Sequence, residues 1–126
     1  MRVLVCGGRY FEDGDFLHNT LCELDQARGP ITCIIHGAAR GADRMAMGWA
    51  QMMDTVPGRS VKHAPFAAEW SRYGTAAGPI RNKRMVDEGK PDLVVAFAGG
   101  RGTRCMVDIA RQAGVEVIIA RPGSRC

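Results

Sequence analysis

Five short apolar runs, each parted from the next by enough chain for a helix, constrain this sequence more than any other feature. They span residues 3–6, 31–35, 60–64, 93–97 and 115–120. The first, second, fourth and fifth are runs of β-branched or other apolar residues, interrupted only by Glu116 in the fifth, so the strands they form have no alternating polar set to turn toward water. Such strands need cover on both faces, which a parallel sheet wrapped by helices supplies. The third run, Ser-Val-Lys-His-Ala, is half polar and reads as an edge strand.

Helical spacing fills the intervals. Leu17, Leu21, Leu24 and Arg28 mark one face of a helix that starts near Asp13 or Asp15, either of which suits an N-cap, and that ends at Gly29-Pro30. Ala46, Trp49, Ala50 and Met53 repeat at i, i+3, i+4, i+7, as do Met106, Ile109, Ala110 and Ala113 ahead of Gly114. Between these, a third helix opens at Gly78-Pro79 and stops at Gly89. Its apolar set (Ile80, Met85, Val86) is the thinnest, so more of it should face solvent or a ligand.

Alternation of strand and helix over 126 residues predicts one doubly wound α/β domain covering the whole chain. The expected five-stranded parallel sheet has order 3-2-1-4-5, with the half-polar strand at an edge. Winding then reverses between strands one and four. Open α/β sheets bind ligands beyond the carboxyl ends of their strands at such a reversal.

The loops expected at that end carry the chemistry. Gly7, Gly8, Arg9 and Tyr10 follow strand one, and His36-Gly37-Ala38-Ala39-Arg40-Gly41-Ala42-Asp43 follows strand two. A long loop over 65–78 holds Glu69, Trp70, Arg72 and Tyr73, and Gly99, Gly100, Arg101, Gly102 and Thr103 follow strand four. Arg9, Arg40, Arg44, Arg72, Arg81, Lys83, Arg84, Arg101 and Arg104, more than half of the 17 basic residues, lie in these loops or just after them. Glycines admit a phosphate to backbone N–H groups, helix N-termini favour negative charge, and arginine grips phosphate with two parallel bonds. The pattern therefore predicts an anionic, phosphorylated ligand. A net charge of +4 suits that ligand and is too mild to indicate DNA binding.

Several classes are excluded. No G-x-x-x-x-G-K-[ST] is present, so the chain is not a P-loop NTPase. Gly100-Arg101-Gly102 begins a G-x-G-x-x-G, but Cys105 takes the third glycine's place and the segment follows strand four. The longest apolar run, 93–98, falls far short of the about 20 residues of a membrane span. The first residues leave no room for a signal-peptide apolar region before Gly7, so a cytoplasmic protein is expected. Five cysteines without a C-x-x-C pair argue against a disulfide framework or a metal site; Cys6 and Cys33 read as core and Cys126 as exposed.

Single residues carry two readings each. Trp70 and Tyr73 can stack on a base or cap the core edge, whereas Trp49 lies on an apolar helix face and reads as core. His36 reads first as structural and second as catalytic, and His18 and His63 follow no pattern. Asp43 reads first as the cap of the second helix and second as a partner for a ribose hydroxyl.

Taken together, Gly-Gly-Arg-Tyr at 7–10, Gly-Ala-Ala-Arg-Gly-Ala-Asp at 37–43, Arg-Asn-x-x-Met at 81–85 and Gly-Gly-Arg-Gly-Thr at 99–103 resemble the SLOG superfamily, in particular its small YspA-like, YpsA-related branch. The resemblance implies a Rossmann-like domain that binds nucleotides or their derivatives at these loops. Lonely Guy phosphoribohydrolases and molybdenum-cofactor carriers are more distant members. In the Lonely Guy pattern, Arg81 and Met85 match one motif, and Gly99, Gly100, Gly102 and Thr103 match the other. Ala98 departs from that family's proline, and Met106 from its catalytic glutamate.

The resulting expectation is a nucleotide- or ribose-phosphate-binding sensor, carrier or sequestering protein with no required cofactor. Its ligand would meet Gly7, Gly8, Arg9, Gly37, Arg40, Asp43, Trp70, Arg81, Asn82, Gly99, Gly100, Arg101, Gly102 and Thr103. An N-glycosidic hydrolase using Asp43 or Glu69 is the first alternative. A single-stranded DNA binder like DNA-processing protein A is the second, and nucleic acid is not the expected partner. Homo-oligomers are expected from the resemblance and from Met45, Met47, Met52 and Met53, which spread over more than one helix face.

Overall fold

The computed structural model describes residues 1–122 and forms a five-stranded, all-parallel sheet of order β3-β2-β1-β4-β5. Its strands are β1 (Arg2–Cys6), β2 (Cys33–His36), β3 (Lys62–Pro65), β4 (Leu93–Ala96) and β5 (Glu116–Ile119). The long helices are α1 (Gly14–Arg28), α2 (Ala42–Asp54), α4 (Ala77–Gly89) and α5 (Arg101–Gln112). The order predicted from the apolar runs is the order observed. Cys126 lies outside the described residues.

Alternate residues of the inner strands point to opposite faces, and both faces are buried. Val3, Val5, Leu93, Val95 and Phe97 join Leu17 and Leu21 of α1 and Ala46 and Trp49 of α2 in one apolar cluster. Leu4, Cys6, Val94 and Ala96 join Met85 and Val86 of α4 and Met106, Val107 and Ala110 of α5 in the other. Winding from β1 toward β2 and β3, then back across β1 to β4 and β5, places the two helix pairs on opposite faces because parallel crossovers are right-handed. Both ends of the sheet are only half covered. Thus β5, which opens on the exposed Glu116, is an edge strand with Ile119 exposed.

Asp13, not Asp15, caps α1, its carboxylate accepting the Phe16 N–H at 3.1 Å. The methionines of α2 divide: Met45 and Met53 pack against the first cluster while Met52 is exposed. Residues 65–78, read as one long loop, contain a short helix α3 (Trp70–Tyr73) and a 3₁₀ turn (Gly74–Ala76) that leads straight into α4. A four-residue helix is too short to show a period in sequence. No helix among the described residues is long and apolar enough to cross a membrane.

Candidate functional site

At the carboxyl ends of β1 and β4 the two glycine loops lie side by side. The Gly8 N–H donates to the Ala98 carbonyl at 2.8 Å, and the Phe97 N–H to the Cys6 carbonyl at 2.8 Å. Gly7 has no room for a side chain, since a Cβ there would lie 2.5 Å from that of Ala42. These contacts bring the chain down around a cavity of about 500 Å³ at the winding reversal. The cavity falls within the size range of small-molecule sites.

Gly7, Gly8 and Arg9 line it from the first loop, Gly37 and Asp43 from the second, and Gly100, Arg101, Gly102 and Thr103 from the fourth. Arg81 and Asn82 reach it from α4, and Trp70 from α3. Three expected residues stand apart. Gly99 lines no cavity; it passes so close to Gly8 and Thr103 that a Cβ would clash with both. Arg40 lines an adjoining cavity. Glu69 precedes α3 as an exposed residue and lines neither. Tyr73 also lines neither; the Arg72 guanidinium sits over its ring, 4.9 Å from the centroid.

The centre of the site is a polar chain built on α4. Arg81 Nε donates to Asn82 Oδ1 at 3.0 Å, and one terminal nitrogen donates to the Gly37 carbonyl at 2.8 Å. Asn82, only 5% exposed, donates in turn to the Gly102 carbonyl at 3.2 Å. Arg81 is thus held in one orientation, and Asn82 ties it to the glycine loop that opens α5. The remaining guanidinium N–H groups are donors for an incoming anion. Burial pulls the Arg81 pKa down while Asp43 opposes the shift.

Asp43 corrects the capping expectation. The N-cap of α2 is Gly41, and no side chain caps that end. Asp43 is buried in the first turn, where its carboxylate accepts the Gly37 N–H at 3.0 Å. A Cβ on Gly37 would meet both Arg81 Nη1 and Asp43 Oδ2, so any larger residue there displaces the ends of both side chains. Burial raises the Asp43 carboxyl to about 6, against the opposing pull of Arg81 and of the Ala39 and Gly37 N–H groups. The thiol of Cys6, a further lining residue, is pushed up to about 12 by burial and by Asp43.

His36 is buried at the end of β2 with both ring nitrogens hydrogen-bonded. Its Nδ1 accepts the Ala38 N–H at 3.0 Å, so a neutral ring carries its proton on Nε2 and donates it to Nδ1 of His63, 3.1 Å away. The rings stack with centroids 5.3 Å apart. Burial, then His63, lowers the His36 pKa to about 4. No sequence pattern marks this pair, which strand register alone brings together. Trp49 is core, with its Nε1–H on Cys22 Sγ at 3.4 Å.

Asp43 and His36 should bend the stability profile in opposite directions. Asp43 binds its proton more tightly folded (about 6) than at its ordinary 3.8, so its contribution falls as pH rises between those values. His36 binds its proton less tightly folded (about 4) than at its ordinary 6.5, so its contribution rises over nearly the same window. Asp43→Asn removes the first effect only. Relative to wild type, the variant should gain about 2–3 kcal/mol between pH 4 and pH 7. Urea unfolding at unit pH intervals reads this directly, and parallel profiles would show that Asp43 is not desolvated.

Fold and site together define a Rossmann-like α/β protein whose cavity lies at the winding reversal, floored by glycine loops and flanked by a braced arginine. The chain belongs to the YspA, cpYpsA-related SLOG family, whose sequence model matches residues 1–73. It is also 38% identical over 120 residues to the Gene 61 protein of Mycobacterium phage D29, which covers 93% of this chain and 94% of that relative. The family match takes in the first two loops and the third as far as Tyr73, whereas Arg81 and the 99–103 loop lie beyond it.

Proposed function

We propose that this protein binds a nucleotide, or another molecule containing ribose phosphate, in the cavity at the winding reversal. It would serve as a sensor, carrier or sequestering protein. The convergence of Arg81 and the glycine loop that opens α5 on one cavity carries this reading. α5 has Gly100 as N-cap and no side-chain cap, so its first-turn N–H groups are available to a phosphate. In this reading Arg81 adds charge and direction, Asp43 would accept from a ribose hydroxyl, and Trp70, 53% exposed and lining the cavity, would stack on a base. Family membership supports a nucleotide-related role.

A thermal-shift panel of mononucleotides, cyclic nucleotides and dinucleotide cofactors should give at least one saturable shift. At 100 times its Kd a ligand stabilises by about 2.7 kcal/mol. Arg81→Ala should weaken that ligand by about 1.5–3 kcal/mol, the scale of hydrogen bonds to charged groups. Gly100→Val is the cleaner probe. A Cβ at Gly100 meets nothing within 4 Å, so the added side chain strikes no protein atom and stands between the ligand and the backbone; because Gly100 has φ −106° and ψ −136°, circular dichroism of the variant accompanies the titration. Unchanged affinity in both variants would move the site elsewhere.

One observation favours a second reading, an N-glycosidic hydrolase. A buried carboxyl titrating near 6 in the ligand cavity has the properties of a general base. Met106, at the position where Lonely Guy enzymes carry glutamate, also lines the cavity but has no proton site. Release of free base from nucleoside monophosphates by wild type, lost in Asp43→Asn, would establish the enzyme.

A further inference from the structure

A second cavity of about 500 Å³ adjoins the first and shares Arg9, Tyr10, Trp70 and Arg81 with it. Its own walls carry Arg40, from the turn before α2, and Arg44, from the first turn of that helix. No carboxylate lines it. Of the other cations at this end, Lys83 pairs with Asp87, Arg84 with Glu88, and Arg72 lies on Tyr73, while Arg101 lines the first cavity. Among the described residues, Arg9, Arg40 and Arg44 form no ion pair. Unpaired guanidinium groups around one concavity repel each other, and an anion placed among them relieves that repulsion.

The geometry points to a ligand with two separated anionic groups. One lies in the first cavity against Arg81 and the 100–103 loop, and the other lies in the second cavity against Arg40 and Arg44. The part between them crosses the aromatic rim made by Trp70 and the 84% exposed Tyr10. This inference rests on the nucleotide reading and names its ligand class. That class is a nucleotide carrying a second charged group beyond its ribose phosphate, as in a dinucleotide or a nucleoside-diphosphate conjugate.

The test is calorimetric titration of wild type and of Arg40→Ser/Arg44→Ser. The probes are the four common nucleoside 5′-monophosphates, NAD, ADP-ribose and UDP-glucose. Both arginines are exposed and neither lines the first cavity, so the double variant should fold and keep its monophosphate affinity within about twofold. The tightest two-anion probe should bind wild type at least tenfold better than the monophosphate of the same base, and the double variant should lose that advantage. Equal affinities in wild type, or an equal loss for both probe classes, would overturn the inference while leaving the nucleotide reading intact. Failure of every probe would instead defeat the nucleotide reading itself. Oligothymidylates whose affinity climbs with length from two to eight residues, with a salt dependence that steepens in step, would replace the two-anion ligand by a single-stranded DNA track.

Discussion

Gly41→Ala is expected to destabilise the fold by about 3–5 kcal/mol, far more than one added methyl group costs at an ordinary glycine. Two effects combine. Gly41 has φ +76° and ψ −128°, outside the left-handed helical well, a conformation that costs a residue with a Cβ about 1–3 kcal/mol. The new methyl would also be driven into the Gly8 carbonyl oxygen and the Arg9 backbone, which cannot yield without moving the first glycine loop off the Ala98 carbonyl. Gly114→Ala is the control. Its φ is +77°, but a Cβ there meets nothing within 4 Å, so it should cost only the conformational part. Denaturant unfolding of both variants separates backbone strain from collision, and equal losses would remove the collision from the account.

Phe97→Ala should cost about 3–5 kcal/mol, the usual range for deleting a core phenylalanine. Phe97 is buried just past the end of β4, edge-on to Phe16 with centroids 5.8 Å apart and tilted against Phe11 at 5.4 Å. It comes from the strand end where the winding reverses, and its Cβ lies 3.1 Å from where a Cβ on Gly7 would be. A void here lies inside the apolar cluster that α1 and α2 form against the sheet. Phe97→Leu keeps most of the volume and should cost under about 1.5 kcal/mol. A loss below about 2 kcal/mol in Phe97→Ala would mean that β4 and α1 collapse onto the gap.

The misreadings share a cause. Asp43 stands two residues after Gly41, where acidic residues often satisfy a helix's free N–H groups, and capping is the economical expectation for it. Instead the chain turns at Gly41 with a positive φ, and the carboxylate serves Gly37 in the loop behind. Glu69 shares a segment with Trp70, yet only the tryptophan lines the cavity, because α3 sends neighbouring side chains in different directions. The His36–His63 pair spans β2 and β3, and the second cavity collects residues from four segments of the chain.

The sequence by itself determined the order of elements, the parallel sheet and its 3-2-1-4-5 arrangement, and hence which loops meet. Those follow from apolar period and run length, which the burial demand of each strand and helix imposes locally. Only the tertiary structure decided that Asn82 joins Arg81 to the glycine loop, that Asp43 is desolvated enough to titrate near 6, and that the basic residues divide between paired and unpaired sets. Those properties depend on distances between side chains far apart in sequence and on how completely water is excluded around them. Neither is a function of spacing along the chain.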